Sequence, residues 1–224
     1  MRQSAVLVVF TAIAVAACGS KGPQPAPAAK PGEGIVFFSV SHDREAGVGA
    51  RLLVFLDDSP LPTRAASLPM SADVLKEMSG AIYIAMFGRI GDLDDGYGQL
   101  HVVTLPAGQH RLRHWAITHG MTTTLPAGAS PPLEFTVQAG RTVYLGNLHG
   151  RVRLGRDWFN QQVVLHAYPE VRDLAERDLQ ILRKKHPSFD EQVDIALLTQ
   201  GPWGDPARVN TRTNQPVYGP MPVK

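Results

Sequence analysis

Apolar residues in this chain fall into short runs separated by turn chemistry, and the runs favour β-branched and aromatic residues. IVFFSV (35–40) and RLLVFL (51–56) are bounded by Gly34 and by Asp57-Asp58-Ser59-Pro60, which predicts strands. AIYIAMF (81–87), QLHVVTL (99–105), HRLRHWAIT (110–118), LEFTVQ (133–138), TVYLGNL (142–148) and QQVVLHAY (161–168) repeat the pattern. That makes about eight strands at the spacing of a sandwich. Leu105-Pro106-Ala107-Gly108, with proline second and glycine fourth, predicts a tight hairpin.

Two stretches follow a helical period instead. In SADVLKEMSG (71–80), Ser71 suits an N-cap, Asp73 the first turn and Gly80 the position just past the end, so a short helix is expected. In PEVRDLAERDLQILRKK (169–185), Val171, Leu174, Leu179 and Leu182 lie close to one stripe, Pro169 suits a helix start and Lys184-Lys185 the last turn. This helix should lie on the sandwich. Residues 189–198 are expected to form one more short helix, and 201–224, with five prolines and little periodicity, an extended or disordered tail. The fold class expected is mainly β: an antiparallel β-sandwich over 35–168, with a helical segment over 169–200.

The N-terminus carries a different signal. Met1-Arg2-Gln3-Ser4 gives a positive start and Ala5–Ala17 is uncharged, the layout of a secretory signal peptide and too short for a spanning helix, which needs about 20 apolar residues. Val15-Ala16-Ala17-Cys18 matches the bacterial lipobox, in which the cysteine is lipidated (diacylglycerol, palmitate) and becomes the first mature residue. Residues 1–17 are therefore expected to be a lipoprotein signal peptide and Cys18 the lipid attachment site. Gly19–Gly34 holds four prolines, four glycines and no bulky apolar residue, so it is expected to be an extended tether spanning up to roughly 50 Å. Gly19-Ser20, with no Asp after the cysteine, points to the outer membrane facing the periplasm.

Composition narrows the partners. Removing Arg2 from the 22 Lys plus Arg leaves 21 against 20 Asp plus Glu, so the mature chain is nearly neutral. Such a balance gives no electrostatic case for nucleic acid or for acidic lipid surfaces. Cys18 is the single cysteine, so the domain needs no disulfide and cannot mispair in an oxidising compartment.

LPAGQHRLRHW, FTVQAGRTVYLGNL and RDLAERDLQILRKKHP carry a resemblance. A strand running into a Pro-Gly turn, an aromatic residue on the next strand, an Ala-Gly turn before a later strand and a downstream basic helix are similar to those of uncharacterised bacterial lipoprotein domains of prealbumin-like β-sandwich form. The resemblance covers about 130 residues and implies a fold without catalytic residues. The Ser59–Gly80 segment departs from that pattern.

Candidate chemistry is sparse. Of eight histidines, His110, His114 and His119 are closest in sequence, with His101 on the preceding strand. Strand alternation puts His110 and His114 on one face and His119 on the other, and zinc wants three or four converging ligands, so no metal site is expected. Asp92-Leu93-Asp94-Asp95-Gly96 fails the spacing of a calcium loop, with Val103 where a bidentate glutamate belongs. There is no Gly-x-Ser-x-Gly elbow and no second cysteine for thiol chemistry. Among Trp115, Trp158, Trp203, Tyr97, Tyr144 and Tyr168, Trp115 is expected in the core. Trp158 and Phe159, in the turn Arg156–Asn160, are the candidate contact patch. The chain thus reads as a membrane-anchored noncatalytic envelope lipoprotein, a binding or assembly accessory with no cofactor and an envelope protein or glycan as partner. Its rivals are an envelope hydrolase acting on glycan or peptide and a carbohydrate-binding module.

Overall fold

The computed structural model describes residues 28–44, 46, 50–56, 83–85, 93, 97–119, 122–156, 158, 160, 162–187, 189 and 192–213. The signal peptide, Cys18, the tether as far as residue 27, the expected helix at Ser71–Gly80, the ends of the 81–87 run, Asp92, Asp94-Asp95-Gly96, Phe159 and residues 214–224 lie outside them. In chain order the described elements are β1 (Glu33–His42), β2 (Ala50–Leu56), β3 (Tyr83–Ala85), β4 (Tyr97–Pro106), β5 (Gly108–His119) and β6 (Thr122–Pro126). They continue with β7 (Leu133–Val137), β8 (Thr142–Arg156), β9 (Gln162–Arg172), α1 (Ala175–Lys185), β10 (Val193–Ile195), β11 (Gly201–Pro202) and β12 (Val209–Thr213).

Among the described residues the architecture is mainly β: two sheets packed face to face, plus one helix. The first sheet runs β11-β9-β8-β1-β4 with β10 beside the start of β8, and the second runs β12-β6-β5-β2-β3 with β7 beside the start of β5. Pairing is antiparallel except that β1 and β10 each run parallel to β8.

Each β1 residue finds a partner surface because both faces of that strand are covered. Val36, Phe38 and Val40 enter the core between the sheets, with Leu52, Val54, Trp115, Ile117 and Leu148. Ile35 and Phe37 point the other way, into a second cluster closed by Ile181 and Leu182 of α1 with Leu100, Tyr144 and Phe189. A strand buried on both faces reads as a continuous apolar run, as IVFF does.

The Pro-Gly and Ala-Gly turns do not make hairpins. β4 lies in the first sheet and β5 in the second, so Pro106–Gly108 carries the chain across the sandwich; 138–141 returns it from β7 to β8. Val103, Leu105, Leu112 and Val137 all face one interior, which strands on facing sheets allow and neighbouring hairpin strands would not require. Both crossings are tied to the start of β1: Ala107 N–H donates to Gly32 O (2.8 Å) and Gly140 N–H to Glu33 O (2.8 Å). Ala29 packs on the second cluster, so the folded domain begins earlier than the tether was expected to end.

The C-terminal third departs further. Pro169–Arg172 belong to β9, not to a helix, because Val171 pairs with Leu148 and is buried between the sheets. The helix begins at Ala175, ends where expected with Arg183, Lys184 and Lys185 in its last turn, and buries Asp178, Ile181 and Leu182. The short helix expected over 189–198 is replaced by β10. β9 pairs with β8 only from Asn147 onward, which leaves Thr142–Tyr144 a free edge that 193–195 fills. The expected tail is extended through residue 213 but built into the fold: β11 extends the first sheet, β12 the second, and Trp203 between them is 2% exposed, its Nε1–H donating to Pro131 O (2.8 Å).

Candidate functional site

Two features stand out on the described surface, a polar seam on the outer face of the first sheet and an exposed hairpin tip. The seam follows from strand alternation. Ser39, Ser41 and Asp43 are every second residue running off β1, and Asn147, His149 and Arg151 are every second residue on β8 beside them. Gly146 makes this alignment possible. It adopts φ +116° where the register between β1 and β8 shifts, so that Asn147, rather than its neighbour, shares the outer face with Tyr144. Arg172 and Glu170 on β9 face Asn147 and His149.

A chain of hydrogen bonds runs along the seam. His149 Nε2 lies 3.0 Å from Asp43 Oδ1, and His149 Nδ1 lies 2.7 Å from Ser41 Oγ. Ser41 Oγ also lies 3.0 Å from Asn147 Oδ1, whose Nδ2–H donates to Ser39 Oγ (2.7 Å), and Ser39 donates to Asp178 Oδ2. Asp178, fully buried on α1, also accepts from the Tyr144 hydroxyl (2.6 Å) and from Arg177 Nε and Nη2 (3.0 and 2.9 Å). A buried carboxylate without such donors would be strongly destabilising. Here it fixes the helix to the sheet.

Burial pushes the His149 imidazole below its ordinary value, against the opposing pull of its bond to Asp43. Burial raises the Asp43 carboxyl, but the bonds from His149 and Val152 N–H (3.0 Å) and the charge of Arg151 outweigh it and hold that carboxyl low. Burial and the neighbouring Asp178 push the Tyr144 hydroxyl far above the usual phenol range. The neutral imidazole therefore donates from Nε2 to Asp43, and the one proton of the Ser41 hydroxyl is shared between His149 Nδ1 and Asn147 Oδ1. That is the connectivity of a nucleophile, a base and an orienting acid. Ser41 is 7% exposed and sits within the sheet face, so an acyl group would reach its oxygen only after the surroundings moved.

The hairpin tip joins β8 to β9. Arg156 Nη1 donates to Asn160 O (2.9 Å) and Oδ1 (3.2 Å), closing the turn, and Asn160 takes the left-handed conformation (φ 61°) that asparagine tolerates. Trp158, between them, is 93% exposed. Phe159, expected to share the patch, lies outside the described residues.

The remaining candidates disperse. A register shift opposite Phe55 and Leu56 places an extra residue, Arg113, in β5, and this inverts the alternation expected for its histidines. His110 shares a face with Leu112 and Phe135, and His119 with Ile117, so these two look inward at opposite ends of the strand while His114 looks out. His110 Nε2 bonds to Pro106 O (2.8 Å) and His119 Nε2 to Ala46 O (3.0 Å). Among the described residues no three His, Cys, Asp or Glu side chains are grouped to hold a metal ion. Trp115 is in the core as expected, its Nε1–H donating to Ser130 Oγ (3.1 Å), and Trp203 is in the core as well, so neither contributes to a flat aromatic platform. Tyr144 is buried and Tyr97 stacks on His42.

Sequence reasoning missed the seam, although a signal was present: polar residues at 39, 41 and 43 interrupt an apolar strand at period two, and 147, 149 and 151 do the same. No protein-family model, curated protein or solved structure matches the chain.

Proposed function

We propose that the chain is a membrane-anchored, noncatalytic envelope lipoprotein, held by a lipidated Cys18 on the periplasmic face of the outer membrane. There it acts as a binding or assembly accessory through the Trp158–Phe159 hairpin tip. The anchor is argued from the lipobox Val15-Ala16-Ala17-Cys18. The observation that carries the binding role is the indole of Trp158, 93% exposed on a turn closed by Arg156. So large an apolar ring standing in water is available to a partner, and indoles dominate binding hot spots. Its position supports the same reading: β8 runs parallel to β1 from Thr142, beside Ile35, so the tip lies at the opposite pole from the point where the anchored segment enters.

A photo-crosslinking amino acid at position 158, introduced in cells, tests this reading. A defined adduct with an envelope component is expected, and no adduct would overturn the contact role. The second reading, an envelope hydrolase, draws on the Ser41–His149–Asp43 connectivity. A fluorophosphonate adduct lost in Ser41→Ala would put it ahead.

A further inference from the structure

The β8–β9 ribbon outgrows its sheet. β1 stops at His42, opposite Gly150, whereas β8 continues to Arg156 paired with Gln162. A register shift between Arg153 and Leu154 inserts Leu165 as an extra residue on β9. Its side chain lies over Gly155, where a Cβ would sit 2.6 Å from Leu165 Cδ1, so a larger residue at 155 would push the leucine aside. Leu165 is 56% exposed. The ribbon therefore ends in a leucine on its outer face and an indole at its tip.

Its charges are mostly of one sign: Arg151, Arg153 and Arg156 occupy β8 beyond Gly150, and the one carboxylate in the sequence from Arg151 to Tyr168 is Asp157. Arg151 is neutralised by Asp43 (3.4 Å) and Glu170 (3.3 Å), which leaves Arg153 and Arg156. Asp157 offsets one of them in the sequence, so the tip suits individual phosphates more than a broad anionic field. A near-neutral chain can still carry such a local group.

We propose that the ribbon tip is a second membrane contact, in which Trp158 and Leu165 enter the interfacial layer of a phospholipid bilayer and Arg153 and Arg156 bond headgroup phosphates. It rests on the reading of Trp158 as the contact point. Indoles settle at membrane interfaces, where an apolar ring and a polar N–H are both satisfied. Shape favours a bilayer over a protein partner. A stable protein interface buries about 1,200–2,000 Å², far more than one indole and one leucine on a narrow convex ribbon supply, whereas lipid needs no complementary surface. The sugar-stacking alternative lacks a platform, since Trp115 and Trp203 are in the core.

The anchor makes a weak contact sufficient. From Cys18 to Ala28, the first described residue, the chain reaches roughly 31 Å in polyproline form. The 15-residue β8 is about 50 Å long. A domain leaning from its anchor therefore brings its far pole down to the same leaflet, and tethering converts docking into an intramolecular step with a high effective concentration.

The test uses the purified, processed lipoprotein reconstituted into phosphatidylglycerol-containing vesicles that carry doxyl-labelled lipid, with tryptophan emission as readout. Trp115 and Trp203 are buried, so a quenched component belonging to Trp158 is expected, lost in Trp158→Phe and reduced in Leu165→Ser. Arg153→Gln should shift the docked-to-free ratio about fivefold towards free, the contribution of one arginine at an anionic surface. Unquenched Trp158 in vesicle-bound protein overturns the proposal, as does Trp158-dependent co-sedimentation with purified glycan sacculi without quenching. A mass measurement on the same sample separates the failures. Acylated protein without quenching sinks the second contact alone, and protein without acyl chains sinks the anchor reading.

Discussion

Removing Leu182, almost completely buried where α1 meets the sheet, should destabilise the domain by about 2–5 kcal/mol as alanine, whereas Leu179→Ala, half-buried, should have a smaller effect. Chemical denaturation of the two single variants checks this. Protonation gives a second handle. Burial pushes His149 and His42 below the ordinary 6.5, and burial together with Arg113 does the same for His114. Because the unfolded chain takes up these protons at higher pH than the folded one, their contribution is fully present above 6.5 and is lost as pH falls below it. The melting temperature is expected to be flat above 6.5 and to fall on acidification, with a shallower fall in His149→Gln. At this scale the sequence was only partly legible. Trp115 could be assigned to the core from its neighbours, but His149 lies 108 residues from Ser41 and 106 from Asp43, and only the parallel pairing of β1 with β8 brings them together.

Deleting Gly201 onward would remove β11, β12 and the buried Trp203, and so expose an edge of each sheet and part of the core. Such a truncation is expected to lower the melting temperature sharply or prevent folding. Trp203→Ala alone should destabilise by about 3–5 kcal/mol. Strand runs were legible because β-branched and aromatic clusters between turn residues have few other uses. Strand partners were not, because a Pro-Gly turn serves a hairpin and a crossing equally well. Val171 shows the same ambiguity for the helix: it fits a helical stripe and a strand alternation, and its pairing with Leu148 decides. β12 escaped notice because VNTRT is mostly polar: only Val209 packs on the core, and the strand is held by pairing with β6, including Thr124 to Thr211 (3.0 Å).

For the molecule as a whole, Cys18→Ser should leave unprocessed precursor without palmitate label, and normal processing with membrane retention would contradict the anchor. Chelators are expected to leave the melting temperature unchanged. A drop reversed by zinc or calcium would reveal a metal that the histidine dispersal argues against.

The parallel pairing of Ile35 with Thr142 also governs when the domain becomes complete. β1 is a central strand, yet one neighbour begins more than a hundred residues later, and one outer strand of each sheet, β11 and β12, is supplied after residue 200. Folds dominated by such distant pairings acquire their structure on the order of milliseconds to seconds, because large loops must close before contacts reward them. A nascent chain of this topology is expected to stay unfolded until its C-terminal strands are available, the state that the proposed export through a thread-like translocation pore would require.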